Sequence, residues 1–466
     1  MVSLRFLGAT RQVTGSSFLL TYQGQNILID CGLFQEREYQ SRNWKEFPFP
    51  PPEISYVLLT HAHLDHCGLL PKFVREGFKG KILTTTASRE LLPIMLVDSA
   101  RIQEEDAAYK KKRHEKEGRR GRYPEIPLYT VEDAEKVFPL VEKVPYDQEI
   151  ELLPGITIKF NDAGHIVGAA MIEVNLTVNE EQRKVIFSGD IGQWNKPIVR
   201  DPTVFSQADY IIMESTYGDR NHEDEASIAE MLAQIVNETV ANGGKLLIPT
   251  FAVERAQELL YYFSRLVRTG EIPILPLFLD SPMAVDVTEV FLRQTAIMDR
   301  ETRHLFASNE NPFRFPGLRL VRSVDESKAI NEIKGPCIIM AGSGMCTGGR
   351  IKHHLVHNIS RPESTILFVG YQARGTLGRQ ILEGRQEVRI HGVYHPVRAQ
   401  IKQINGFSAH ADQQGLLKWL SFLQKPPKKI FLVHGDEEVI PVLASEINKK
   451  GWATEIPQYQ QEFPLQ

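Results

Sequence analysis

Apolar residues come in short runs along the first two hundred positions, and each run stops at a turn or a polar residue. "SSFLLTY" gives way to "QNILIDCG", and "ISYVLLT" leads straight into a histidine cluster. "ITIKFND", "AGHIVGAAMIEV" and "KVIFSGDIG" keep the same rhythm. Runs of this length, rich in β-branched residues and bounded by turn formers, predict β-strands. Asp30, His61, His165 and Asp190 each fall at or just past the end of such a run, where layered α/β folds gather their chemistry. From about residue 208 the rhythm changes. "DYIIMESTYGD", "GKLLIPTFAVERAQELLYYFSRLV", "IPILPLFLDSPMA", "CIIMAGSGMCTGG" and "STILFVGYQARGT" each begin as a buried strand and break at a small-residue turn, and several run on with a helical period. Strands alternating with helices predict a parallel sheet covered on both faces. "EVRIHGVYHPVRAQIKQINGFSAHAD" and "KKIFLVHGDEE" then return to the first style. The expected organisation is an α/β chain in which residues 1–207 and 385–466 form one domain and residues 208–384 form a second, inserted into it.

Composition changes this picture only in places. The 466 residues, 42% hydrophobic and 24% charged, suit two or three domains with a sizeable core. A net charge of −4 argues against a generic polycation that coats nucleic acid. One segment departs from that balance: "KKKRHEKEGRRGR", residues 110–122, holds eight Lys/Arg and two Glu. It reads as a solvated helix end or as an arm for phosphate groups. "FPFPPP" reads as a stiff connector. Cys31, Cys67, Cys337 and Cys346 form no CxxC pair, so reduced thiols in a cytoplasmic protein are expected. The N-terminus carries no long apolar run and no stretch approaches ~18 apolar residues, so neither a signal peptide nor a membrane span is expected. No added nucleic-acid-binding domain is visible at either end.

The chemistry concentrates in "THAHLDHCG". His61 and His63 are two residues apart and share a side on an extended segment. Asp65 and His66 follow where the chain should turn into a helix and face a second point. Imidazole nitrogens and carboxylate oxygens suit zinc, and four such groups split two and two suit a pair of ions. His165, Asp190 and His434 can complete the coordination, with Asp190 able to bridge. Asp30 is expected behind the ligands, orienting an imidazole or a water.

The HxHxDH pattern with a downstream His and Asp resembles the metallo-β-lactamase superfamily. "ESTYGD", "FSAHAD", "LVHGDEE" and "GSGMCTGGR" narrow the resemblance to its β-CASP nucleases. The resemblance implies an αββα sandwich interrupted by a Rossmann-like, mainly parallel β-CASP domain. It implies one ion on His61, His63 and His165, a second on Asp65, His66 and His434, and Asp190 between them. The ions are expected to be two Zn2+, with Mn2+ or another divalent metal as a substitute. His434 in the third family motif favours RNA over DNA. His410 is expected to protonate the leaving oxygen while Glu214 orients it; Asp65 and Asp30 complete the catalytic set.

Candidates for gripping substrate lie in the inserted domain. Ser343, Gly344 and Arg350 belong to a glycine-rich turn whose amides can form an anion nest. Arg374, Thr376 and Arg379 lie in "YQARGTLGR", and Arg255 lies in "TFAVERAQE", where a helix-surface salt bridge is the competing reading. His353, His354 and His357, at helical spacing without carboxylate partners, read as structural. The expected function is a zinc-dependent ribonuclease hydrolysing single-stranded RNA with a metal-activated water, endonucleolytic with a 5′-exonuclease mode beside it, in RNA processing or decay. The expected partner is single-stranded RNA, with no membrane and with a homodimer left open. Two alternatives remain: a DNA-directed nuclease of the same fold, and a small-molecule metallo-hydrolase such as a thioesterase or lactonase.

Overall fold

A computed structural model describes residues 2–118, 123–178, 181–222, 225–373 and 375–466. They divide into two compact units. The first comprises residues 1–195, 200–221 and 410–466, the second residues 196–199 and 222–409.

The first unit is built on two seven-stranded sheets. One runs Glu462–Pro464, Val2–Phe6, Phe18–Tyr22, Gln25–Ile29, Ile54–Leu58, Lys81–Thr85, Val141–Val144. The other runs Thr454–Glu455, Lys429–Val433, Tyr210–Glu214, Glu181–Phe187, Ala170–Val178, Ile156–Asp162, Glu149–Leu153. Period-two alternation sorts the side chains. Leu4, Phe6, Phe18, Leu20, Ile27 and Ile29 share one core with Ile158, Ile172, Val174 and Phe431 of the other sheet. Leu19, Leu28, Val57 and Ile82 point the opposite way and pack with Phe73, Leu92, Leu96 and Ala100. Helices therefore cover the outer face of the first sheet, and helix Ile440–Lys449 packs on the second. This is the expected αββα order. Burying each of these large side chains stabilises the unit by about 1.5–3 kcal/mol.

Helix Thr86–Glu117 starts where the Thr85 hydroxyl accepts the Ser88 amide and stops at Gly118, whose φ is 62°. Its first half buries Leu91, Leu92, Met95 and Leu96; its second half is mostly exposed. Lys110, Lys111, Lys112, Arg113 and Lys116 are exposed on that half, and residues 119–122 of the basic segment lie outside the described residues. Among the described residues no helix is long and apolar enough to cross a membrane.

The second unit carries a six-stranded sheet in the order Leu318–Leu320, Leu277–Asp280, Ile338–Ala341, Leu246–Pro249, Thr365–Phe368, Gln400–Gln403. Every pairing in it is parallel. The unit limits differ from the expected boundaries at 207/208 and 384/385, for reasons of strand pairing. Tyr210–Glu214 lies between Glu181–Phe187 and Lys429–Val433 in the first unit. Gln400–Gln403 pairs with Thr365–Phe368 in the second.

Candidate metal centre

All the histidines and carboxylates expected at the centre lie in the first unit, at or near strand ends. His61 sits in the turn after Ile54–Leu58. His63 precedes the short helix Leu64–Cys67, which carries Asp65 and His66. His165 follows Ile156–Asp162, Asp190 follows Glu181–Phe187, and His434 follows Lys429–Val433.

The donor atoms form two clusters that meet at one carboxylate. In the first, His61 Nε2 lies 3.1 Å from His63 Nδ1 and 3.3 Å from Asp190 Oδ2. His165 Nε2 lies 3.3 Å from His63 Nδ1 and 3.4 Å from Asp190 Oδ2. In the second, His66 Nε2 lies 3.2 Å from Asp190 Oδ1, 3.3 Å from His434 Nε2 and 4.0 Å from Asp65 Oδ2. His434 Nε2 lies 3.4 Å from Asp65 Oδ2 and 3.5 Å from Asp190 Oδ1. Tetrahedral zinc with bonds of ~2.0–2.1 Å sets its ligand atoms about 3.3 Å apart, so both clusters are spaced for such an ion. Asp190 Oδ1 is buried without a hydrogen-bond partner, a costly arrangement unless a cation completes it. The donor set is that of a divalent-metal site.

The far side of three of the rings is held. Asp30 Oδ2 accepts from His66 Nδ1 at 2.7 Å, and its carboxylate also accepts from the Thr60 amide and hydroxyl. The Thr216 hydroxyl stands 3.0 Å from His434 Nδ1 and donates to Glu214 Oε2 at 2.5 Å. Thr60 Oγ1 is 3.1 Å from His61 Nδ1. These contacts turn Nε2 of His66, His434 and His61 toward the clusters.

The two clusters differ electrostatically. Burial lowers His61 to about 3 and also lowers His63 and His165, so these rings are neutral, the form that ligates metal. Burial opposes charge on His66 and His434 as well, but Asp190 and their other carboxylate neighbours outweigh it and raise both. Metal entering there displaces protons.

Beside the first cluster, His410 Nδ1 lies 3.1 Å from Glu214 Oε2 and 4.0 Å from Asp190 Oδ2. Glu214 is fully buried, whereas the His410 side chain keeps 20% of its surface exposed. Burial works against the imidazolium, but Glu214 and Asp190 overcome it and push His410 up to about 9.

The expected substrate residues belong to the second unit, and those described are tied into it. Ser343 Oγ accepts from the amides of Thr347 and Gly348, closing the glycine-rich turn on itself. Gly344 lies against the Phe251 ring. Arg350 is spent on Asp280 at 2.7 Å and on the Arg322 carbonyl. Asp280 also accepts from Ser327 and His354; His354 thus has a carboxylate partner that its spacing did not predict, and that partner ties it into the packing of the second unit. Thr376 caps helix Leu377–Leu382. Arg379 pairs with Glu383 at 2.7 Å, and Arg255 donates to the Val369 carbonyl. Arg374 lies outside the described residues. Sequence reasoning missed Thr60 and Thr216. Thr60 precedes His61 and Thr216 lies two residues after Glu214, yet only the folded contacts reveal what their hydroxyls hold.

A two-sheet sandwich with paired His/Asp clusters at its strand ends, joined by one carboxylate, defines a metal-dependent hydrolase. Comparison with known proteins narrows the class. The metallo-β-lactamase superfamily model matches residues 10–243, the Beta-Casp domain residues 256–381, and the Zn-dependent metallo-hydrolase RNA specificity domain residues 394–457. Ribonuclease TTHA0252 of Thermus thermophilus is 38% identical over 98% of this chain and 99% of its own. Transcription termination factor FttA of Methanosarcina mazei is 31% identical over 96% of this chain and 69% of its own. The RNase J-like protein of Methanocaldococcus jannaschii is 30% identical over 94% and 93%. A crystal structure of a protein of unknown function from Enterococcus faecalis shares the fold, with a TM-score of 0.54 at 12% identity over 100% of both chains. The chain belongs to the β-CASP family of the metallo-β-lactamase superfamily.

Proposed function

We propose that the protein is a zinc-dependent ribonuclease that hydrolyses phosphodiester bonds in single-stranded RNA, chiefly at internal positions and with a 5′-exonuclease mode. The observation that carries this reading is the division of Asp190 between the clusters, Oδ2 facing His61 and His165 and Oδ1 facing His66 and His434. His61, His63, His165 and Asp190 would hold one zinc ion, and Asp65, His66, His434 and Asp190 a second. Such a pair, when bound, supplies a water that ionises near neutral pH and positive charge for the phosphoryl oxygens.

The chain's own groups do the rest. Asp30 and Thr216 orient His66 and His434. Glu214 holds His410 at Nδ1, and Nε2 is the nitrogen that would hand a proton to the leaving oxygen. Glu214 and Asp190 raise His410, the direction that favours the protonated ring a general acid needs. Single-stranded RNA suits a deeply set centre better than a duplex does, and His434 in the third family motif favours RNA over DNA. The described cysteines are all free and buried, which fits the reduced thiols of a cytoplasmic enzyme.

Digestion of 5′- and 3′-labelled RNA and DNA single strands of one sequence, with zinc measured on the same sample, tests the reading. RNA should be cut to 5′-phosphate and 3′-hydroxyl ends, and DNA should survive. Equal cutting of DNA, or intact RNA with the centre loaded, would refute it.

A further inference from the structure

In the parallel sheet of the second unit, connections leave neighbouring strands in opposite directions between Leu277–Asp280 and Ile338–Ala341 and again between Leu246–Pro249 and Thr365–Phe368. Strand Leu246–Pro249 continues through helix Arg255–Thr269 to Leu277–Asp280 on one side. Its neighbour Thr365–Phe368 continues through helix Leu377–Leu382 to Gln400–Gln403 on the other. Diverging connections leave a crevice at the carboxyl ends of the two strands, the position where open α/β sheets take ligands.

Phe251 lies in the loop that follows the first of these strands, and Tyr371 in the loop that follows the second. Their side chains are 42% and 59% exposed. The surroundings hold the Phe251 ring in place. A Cβ on Gly344 would stand 2.7 Å from its Cε2, and a Cβ on Gly370 4.0 Å from it. The Gly370 Cβ would also stand 2.9 Å from Nη1 of Arg255, which is fixed on the Val369 carbonyl. Glycine at 344 is what lets the ring lie there. The fold thus seats an aromatic ring with almost half its surface in solvent, where complete burial would have gained roughly 1 kcal/mol more.

We infer that Phe251 is a stacking platform for a nucleobase of the single-stranded RNA, with exposed Tyr371 in the loop after the neighbouring strand as a second ring; the inference rests on the ribonuclease reading above. Every base offers a π-face to a ring, so the platform adds grip without sequence preference.

The test is steady-state cleavage by the zinc-loaded protein of a short single-stranded RNA and of the same oligonucleotide with abasic sites. Phe251→Leu should raise KM for the RNA about tenfold, keep kcat within about twofold and leave Tm unchanged. Phe251→Trp should restore KM. On the abasic oligonucleotide, the unmodified protein and Phe251→Leu should give the same KM. Equal KM values on the normal RNA, or an equal loss on both oligonucleotides, would overturn the platform alone. No cleavage of RNA by the unmodified protein would overturn the ribonuclease reading and the platform with it.

Discussion

Asp30→Asn tests how the centre is held. Asp30 sits in the left-handed region, with φ 58°, which asparagine tolerates better than most residues, so the backbone survives the change. The carboxylate serves His66 Nδ1 at 2.7 Å through Oδ2, and through Oδ1 it serves the Thr60 amide at 2.8 Å. A carboxamide has one oxygen for these two donors. With its nitrogen toward His66, the ring must carry its proton on Nε2, the atom that faces Asp190 and His434. Turned the other way, it leaves the buried Thr60 amide unpaired, at about 1–3 kcal/mol. Losing such a support typically costs ~10–100-fold in metal affinity, or about 1.4–2.7 kcal/mol. The loss should fall on the cluster containing His66 and spare the one formed by His61, His63 and His165. Zinc per chain, measured in competition with a graded chelator, should drop from two ions to one over a range where the unmodified protein keeps both. Retention of both ions at full affinity, or loss of both together, would refute this division of labour.

His410→Ala should lower kcat about 10²–10⁴-fold while zinc content stays unchanged, as read by single-turnover cleavage and metal analysis. Asp280→Ala strips the acceptor from Arg350, Ser327 and His354 and should destabilise the second unit by about 3–5 kcal/mol, visible in the denaturant midpoint. Burial holds the Asp162 carboxyl up at about 7, so the native state binds this proton more tightly than the unfolded chain does. Its contribution to stability is therefore full in acid and lost as pH climbs from about 4 through about 7. Asp162→Asn should flatten that part of the Tm profile, and an unchanged profile would show that the carboxyl is not buried enough to matter.

Much of this was legible because strand ends and metal donors coincide. His61, His63, Asp65 and His66 declare themselves by spacing, and His165, Asp190 and His434 by following apolar runs. Long-range pairing was not legible. Tyr210–Glu214 looks like the first strand of the inserted domain until its partner Lys429–Val433, some two hundred residues on, claims it. Nor does a sequence tell where a guanidinium points. Arg255 and Arg350 resemble phosphate ligands in their motifs, yet one is spent on a backbone carbonyl and the other on Asp280. Thr216 carried no signal beyond its place two residues after Glu214, because its value lies in linking that carboxylate to His434 across the fold.

The interleaved order of the two units also has a temporal side. The cluster around His61 has all its residues once Asp190 has left the ribosome. The other cluster must wait for His434, 244 residues after Asp190. At about 5–20 residues per second of synthesis, that wait lasts roughly 10–50 s. During it the six-stranded sheet, drawn from residues 246–403, has all its strands available. A growing chain thus cannot complete the second cluster, whatever else has folded, until residue 434 has been added and the strand before it has paired across the inserted unit.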